Sequence, residues 1–195
     1  MTGGDQLLDE YRSAVTQRSQ WADHIKERYS VDVPDRISDT VCLHHYTYNE
    51  VGYEWRNHRN PLKGFDEVMA NGGNCEEQCI LLASLLESVP RTKTRFTVVE
   101  SPTQTDHTFL QVCFPGADDE TVRGRVTEIY DSNPYELMPY HPDTYYWETD
   151  SEGENWFTCD PEHSRWLGDH ETLFNGDWAV ETSDGWRWNN IRNRK

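Results

Sequence analysis

The run Gly72-Gly73-Asn74-Cys75-Glu76-Glu77-Gln78-Cys79 leads directly into Ile80-Leu81-Leu82-Ala83-Ser84-Leu85-Leu86. The glycines stop the preceding element, Asn74 is a good helix N-cap, and Glu77 three residues on completes a capping-box pattern. Cys75 therefore falls in the first turn of an apolar helix, where a thiol is set up for nucleophilic chemistry. The helix start carries roughly half a positive charge, which favours thiolate. First-turn amides lack intrahelical acceptors and are donors for an oxyanion formed beside the sulfur. Glu76 and Glu77 oppose this, because nearby anions disfavour thiolate. The chemistry therefore needs an imidazole partner that holds the sulfur as an ion pair. The bland reading is a packing cysteine, since free Cys is among the most buried residue types.

Five cysteines stand at 42, 75, 79, 113 and 159. The number is odd and the acidic N-terminal stretch shows no secretory pattern, so no disulfide framework is expected. Cys75 and Cys79 are spaced C-x3-C with no matching second pair, unlike a zinc ribbon. Cys42 with His44 and His45 offers ligands for a structural zinc only if these side chains converge on one point. Otherwise the two histidines are a partly buried helix pair, and Cys79 is core. No calcium-loop pattern occurs, and neither metal nor cofactor is expected.

The charge narrows the partners. Of 195 residues, 35 are acidic against 18 basic, a net charge of -17. Such a balance disfavours a phosphate backbone and an anionic membrane surface. No apolar run reaches membrane-spanning length, so the expected setting is cytoplasmic. Eight Trp and ten Tyr supply ample apolar surface for a packed core. The basic side are fourteen Arg to four Lys, and acids are spread along the whole chain. This resembles a halophilic composition, in which molar salt screens self-repulsion. The fold is accordingly expected to need salt. Near-ultraviolet circular dichroism should collapse below about 0.1 M salt, where the Debye length reaches about 10 Å. A melting temperature equal in low and molar salt would contradict it.

The elements that must position Cys75 read as follows. Residues 5–29 form one helix with Leu7, Leu8, Tyr11, Val15, Trp21 and Ile25 on one face, ended by Pro34. Ser38 or Asp39 caps a second, with Val41, His45, Tyr48, Gly52 and Trp55 on one stripe. A short helical turn at 65–70 precedes the cysteine helix, which Pro90 ends. Residues 95–100 and 107–114 are strands joined by the polar loop 101–106. Residues 117–131 read as a helix despite Gly124. Hairpins follow around 151–154 and around Asp184-Gly185, the latter over 177–190. Helices first and strands later indicate α+β in a single domain, 1–195.

Three motifs in order then stand out: Gly-Gly-Asn-Cys75 opening an apolar helix, His107-Thr-Phe-Leu-Gln-Val opening a strand, and Trp156-Phe-Thr-Cys-Asp160-Pro161. The Cys-to-His interval is 32 residues. Over roughly residues 45–165 the chain resembles the transglutaminase-like cysteine enzymes, which share this order. The resemblance implies a papain-like α+β fold: a helical N-terminal layer and the cysteine helix packed on an antiparallel sheet. It implies Cys75 as nucleophile on an amide carbonyl of a protein or peptide, His107 as base and then acid, and Asp160 as the residue orienting the imidazole. Tyr48 and Tyr53 are the candidate side-chain donors to the oxyanion. The product is a thioester resolved by water or an amine, making this an acyltransferase or peptidase. The alternative is an inactive fold of the same kind, kept as a binding or assembly module. Two features depart from the family: Thr follows His107, and the interval from His107 to Asp160 is long, which the helix at 117–131 accounts for.

The acid has a rival in Asp131, nearer to His107 in sequence. A strand over 122–131 would make it the natural partner. However, Val122, Val126, Ile129 and Tyr130 recur at helical spacing behind leading acids. Asp131 then closes a helix, whereas Asp160 follows Trp156 and Thr158 at strand spacing and precedes Pro161.

Overall fold

The computed structural model describes residues 3–29, 35–56, 60–100, 107–132, 141–169, 177–183 and 185–189. Pro34, the loop 101–106, Asp184 and Asn190 lie outside them. The architecture is α+β, with six helices and six strands among the described residues: α1 (Gly3–Ala14), α2 (Ser19–Tyr29), α3 (Arg36–Glu50), α4 (Phe65–Asn71), α5 (Cys75–Leu86), β1 (Lys93–Glu100), β2 (His107–Cys113), α6 (Asp119–Ser132), β3 (Trp147–Thr149), β4 (Asn155–Cys159), β5 (Asp177–Thr182) and β6 (Gly185–Asn189). The strands make one antiparallel sheet in the order β3-β4-β2-β1-β5-β6. Among the described residues no helix is long and apolar enough to cross a membrane.

The centre of the molecule is α5, all twelve residues of which are buried. It packs on β2 and β1 on one side and on α1 to α4 on the others. Leu81, Leu82, Leu85 and Leu86 are each at most 1% exposed, and each contributes about 1.5–3 kcal/mol by leaving water. Such full burial explains why the helix has no polar stripe.

The helix expected over 5–29 is two helices. Residues 15–18 break it because their backbone docks on the far end of α5: the Thr16 amide donates to Ser84 Oγ (3.1 Å) and the Arg18 amide to Ser84 O (3.2 Å). The cap of α3 is Asp35, not Ser38 or Asp39; its Oδ1 accepts from the Ile37 and Ser38 amides, while Arg125 of α6 donates to its Oδ2. That helix stops at Glu50, so Gly52 and Trp55 leave its stripe. Instead, residues 52–54 run beside Gly73.

The two faces of the sheet differ. Toward the helices lie Phe96, Leu110, Val112 and Phe157, all buried. The other face carries a buried polar network. Arg95 donates to Gln111 Oε1 and to Glu148 Oε2 (both 2.8 Å) and lies 4.4 Å over the Trp156 ring, while Thr97 donates to Gln111 (3.3 Å). A cavity of about 430 Å³ opens beside it, between Arg12, Lys93, Glu152, Glu181 and Arg187. It contains none of the residues singled out for chemistry.

Candidate active site

Cys75 is the first residue of α5, and the turn that presents it is built without slack. Asn74 Oδ1 accepts from the Glu77 amide (3.0 Å) and Glu77 Oε2 accepts from the Asn74 amide (3.1 Å), a closed capping box. Gly72 sits at φ +77°, and a Cβ there would fall 2.2 Å from Gly52 O. Gly73 donates to Gly52 O (3.1 Å) and accepts from the Glu54 amide (3.0 Å). From within α5, Gln78 donates to Val51 O (3.3 Å) and Gly52 O (3.1 Å). Glu77 Oε1 accepts from the Lys63 amide (2.8 Å) and from Arg56 Nη1. The first two turns of α5 thus hold a rail of backbone, residues 51–56 and 60–63, alongside the cysteine.

His107 opens β2, and Asp160 follows the last residue of β4, the strand paired with β2. His107 Nε2–H donates to Asp160 Oδ2 at 2.7 Å. The Cys75 sulfur and an imidazole nitrogen lie within 4.8 Å of each other, and with Nε2 taken by Asp160 it is Nδ1 that is left for the sulfur. Cys75, His107 and Asp160 are all buried, at 4%, 8% and 3% exposure. Asp160 is itself fixed. Its Oδ1 accepts from the Glu162 (2.9 Å) and His163 (3.2 Å) amides, and its carbonyl accepts from His44 Nε2–H (3.0 Å) and the Ser164 amide (3.2 Å).

The electrostatics follow from this geometry. Burial disfavours the imidazolium of His107, but the charge and hydrogen bond of Asp160, with the thiol's help, outweigh it and push its pKa up to about 11. Burial alone would raise the Asp160 carboxyl; the His107 cation overcomes that and holds it below its ordinary value. Burial pushes the Cys42 and Cys113 thiols up to about 12, and those of Cys79 and Cys159 upward as well. Those four sulfurs are inert packing.

No known family model, curated protein or solved structure matches this chain.

The other expected residues fall as follows. Tyr53 lies on the rail beside Gly73 and is half exposed, its phenol pushed up to about 12 by burial and by the nearby charges of Glu162 and Cys75. Tyr48 stacks on the His44 ring at 6.5 Å and adjoins Tyr130, which puts it with the support behind Asp160. Asp131 ends on the surface, bonded to His141 Nδ1 (2.9 Å), because 122–131 is helical. Cys79 is core, donating to Thr108 O at 3.3 Å. His44 is fully buried at Asp160, while His45 stacks edge-on to Tyr29, so with Cys42 they do not gather at one point.

Three further residues at the site have no part in the three motifs. Glu162 brings Oε2 to 3.6 Å from His107 Nδ1. His163 packs edge-on against the His107 ring at 4.9 Å between centroids. His44 carries the Asp160 backbone. The first two had a signal: they follow Asp160-Pro161, and an Asp at a turn binds the amides two and three residues on, turning those side chains back toward itself. His44 had none, because its bond spans 116 residues.

Proposed function

We propose that the chain is a thiol-dependent acyl-transfer or amide-hydrolysing enzyme of transglutaminase-like, papain-like architecture. The observation carrying this reading is the meeting of Cys75, His107 and Asp160, from three separate elements, around one imidazole. Proton transfer from thiol to Nδ1 gives a thiolate beside an imidazolium whose other N–H is held by Asp160. The sulfur adds to an amide carbonyl. The Cys75 amide, at the open end of the helix ladder, stabilises the oxyanion, with the Tyr53 hydroxyl as candidate second donor. Collapse breaks the C–N bond as His107 returns the proton to the leaving amine. The resulting thioester is resolved by water or a second amine, with His107 as base. Exposed Tyr53 and Trp55 on the adjoining rail offer aromatic surface to a peptide backbone. The acidic coat fits a protein working in concentrated salt.

The test is limited iodoacetamide alkylation at high salt with peptide mapping, run beside ammonia release from a glutamine-containing peptide. Cys75 is expected to react at least tenfold faster than any other cysteine, and Cys75→Ala should abolish both labelling and ammonia release. Preferential labelling of Cys42 or Cys159 would overturn the assignment. Labelling without turnover of any amide would favour a binding module.

A further inference from the structure

Glu162 has no task in the acyl-transfer chemistry, yet it is aimed into it. Its Oε2 is buried without a hydrogen-bond partner among the described residues, although it lies 3.6 Å from His107 Nδ1. One donor atom each from Cys75, His107 and Glu162 lie within 4.8 Å of one another. We propose that these three side chains form a coordination site for a soft divalent cation, Zn²⁺ first, whose occupation switches the thiol off.

The chemistry of the donor set selects the metal. A thiolate with an imidazole favours Zn²⁺ over Mg²⁺ or Ca²⁺, which take oxygen ligands. Tetrahedral zinc with ligands at about 2.0–2.3 Å puts donor atoms roughly 3.3–3.8 Å apart. Glu162 Oε2 and His107 Nδ1 are already at that spacing, and the gaps to the sulfur need to close by at most about 1–1.5 Å, a movement within reach of side-chain rotation. The rest of the site is already arranged for a metal. Asp160 accepts from Nε2–H of His107 and so directs the lone pair of Nδ1 toward Cys75 and Glu162, the orientation a ligating histidine requires. Three protein ligands leave one position for water, the pattern of an open zinc site.

Charge points the same way. When the thiolate–imidazolium pair forms, the sulfur, Asp160 and Glu162 present three negative groups to His107, with His163 Nε2 3.4 Å from the other Glu162 oxygen. A divalent ion balances this better than a proton does. The exchange conserves charge: the ion binds the thiolate, the now neutral imidazole and the carboxylate, and the Nδ1 proton leaves to solvent. The sulfur lone pair and the base are then both occupied, so neither attack nor proton transfer proceeds until the ion is removed.

As regulation, the inference rests on the acyl-transfer reading; as coordination, it does not, and the test separates the two. Metal-free protein is titrated with Co²⁺, whose thiolate charge-transfer band in the near ultraviolet reports a sulfur ligand, and then with Zn²⁺ in competition. One Co²⁺ per chain should bind with that band, and Zn²⁺ should displace it. Cys75→Ser should abolish the band, and Glu162→Gln should weaken binding by roughly tenfold or more with unchanged circular dichroism. Zn²⁺ should slow alkylation of Cys75, and a chelator should restore it. A band that survives in Cys75→Ser, wild-type affinity in Glu162→Gln, or no band at millimolar Co²⁺ would each overturn the proposal. Absent metal binding in a protein that turns over amides defeats this inference alone. Metal binding with the expected variant effects, in a protein that turns over none, upholds the coordination site and defeats the enzyme reading.

Discussion

Asp160→Asn is expected to slow acyl-enzyme formation by about three to four orders of magnitude while the sheet stays folded. The two oxygens of Asp160 have separate duties. Oδ1 accepts from two backbone amides, of Glu162 and His163, and Oδ2 accepts from His107. An asparagine keeps its carbonyl on the two amides, since an NH₂ there would face two donors. Its NH₂ then points at Nε2 and forces the imidazole into the tautomer with the proton on Nδ1, where it cannot take the thiol's proton. The pH profile should change with it. The raised His107 pKa means that the pair's stabilisation is complete below the ordinary imidazole value of 6.5 and fades as pH rises through about 11. Lowering of the Asp160 value means that its share is present above the ordinary 3.8 and is lost as pH falls through the depressed folded value. In the Asn variant burial acts on His107 unopposed by that charge. The alkaline limb, set by loss of the imidazolium, should therefore move from near 11 to the ordinary imidazole range or below. Turnover against pH, with denaturant melts at pH 7 and 11, checks this. Full activity with an unmoved limb would show that Asp160 does not orient the base.

Gly72→Ala is the second large effect: a loss of about 3–5 kcal/mol in stability, with Cys75 no longer selectively alkylated. With φ +77° and ψ 172°, Gly72 lies in a region that is essentially glycine-only and costs another residue about 1–3 kcal/mol. The added Cβ would also sit 2.2 Å from Gly52 O, a backbone atom that Gln78 holds in place. Relief requires moving the rail, and with it the Gly73 bonds and Tyr53. Gly124→Ala in α6 is the control. It has nothing within 4 Å of the new methyl and should gain about 0.5–1 kcal/mol from helix propensity. Equal melting temperatures for the two variants would refute the argument.

What the sequence disclosed about this molecule was what is decided locally. The capping box at Asn74 spans four residues, and the period over 122–130 separates helix from strand in a single segment, so the start of α5 and the helical nature of α6 were both readable. The break at 15–18 was not, because no glycine or proline makes it; Ser84, across the fold, does. The choice of Asp35 over Ser38 or Asp39 as cap was also unreadable, since all three are competent and what distinguishes Asp35 is its ion pair with Arg125, ninety residues away, whose guanidinium also reaches Ser38 Oγ. At the site, the sequence suggested a nucleophile, a base and an acid through resemblance. Glu162 and His44 act through contacts that only the folded chain creates.

The strand order carries a consequence for how this chain is made. β2, bearing the imidazole, lies between β1, its predecessor in sequence, and β4, which comes forty-odd residues later. A nascent chain that has left the ribosome only as far as β2 holds thiol and imidazole but has nothing to accept the proton on Nε2. If the proposed chemistry holds, it is armed only when the β4 strand arrives and slots in beside β2. On the proposed acyl-transfer reading, synthesis from the N-terminus therefore withholds reactivity until β4 has been made, sparing the neighbours of the emerging polypeptide.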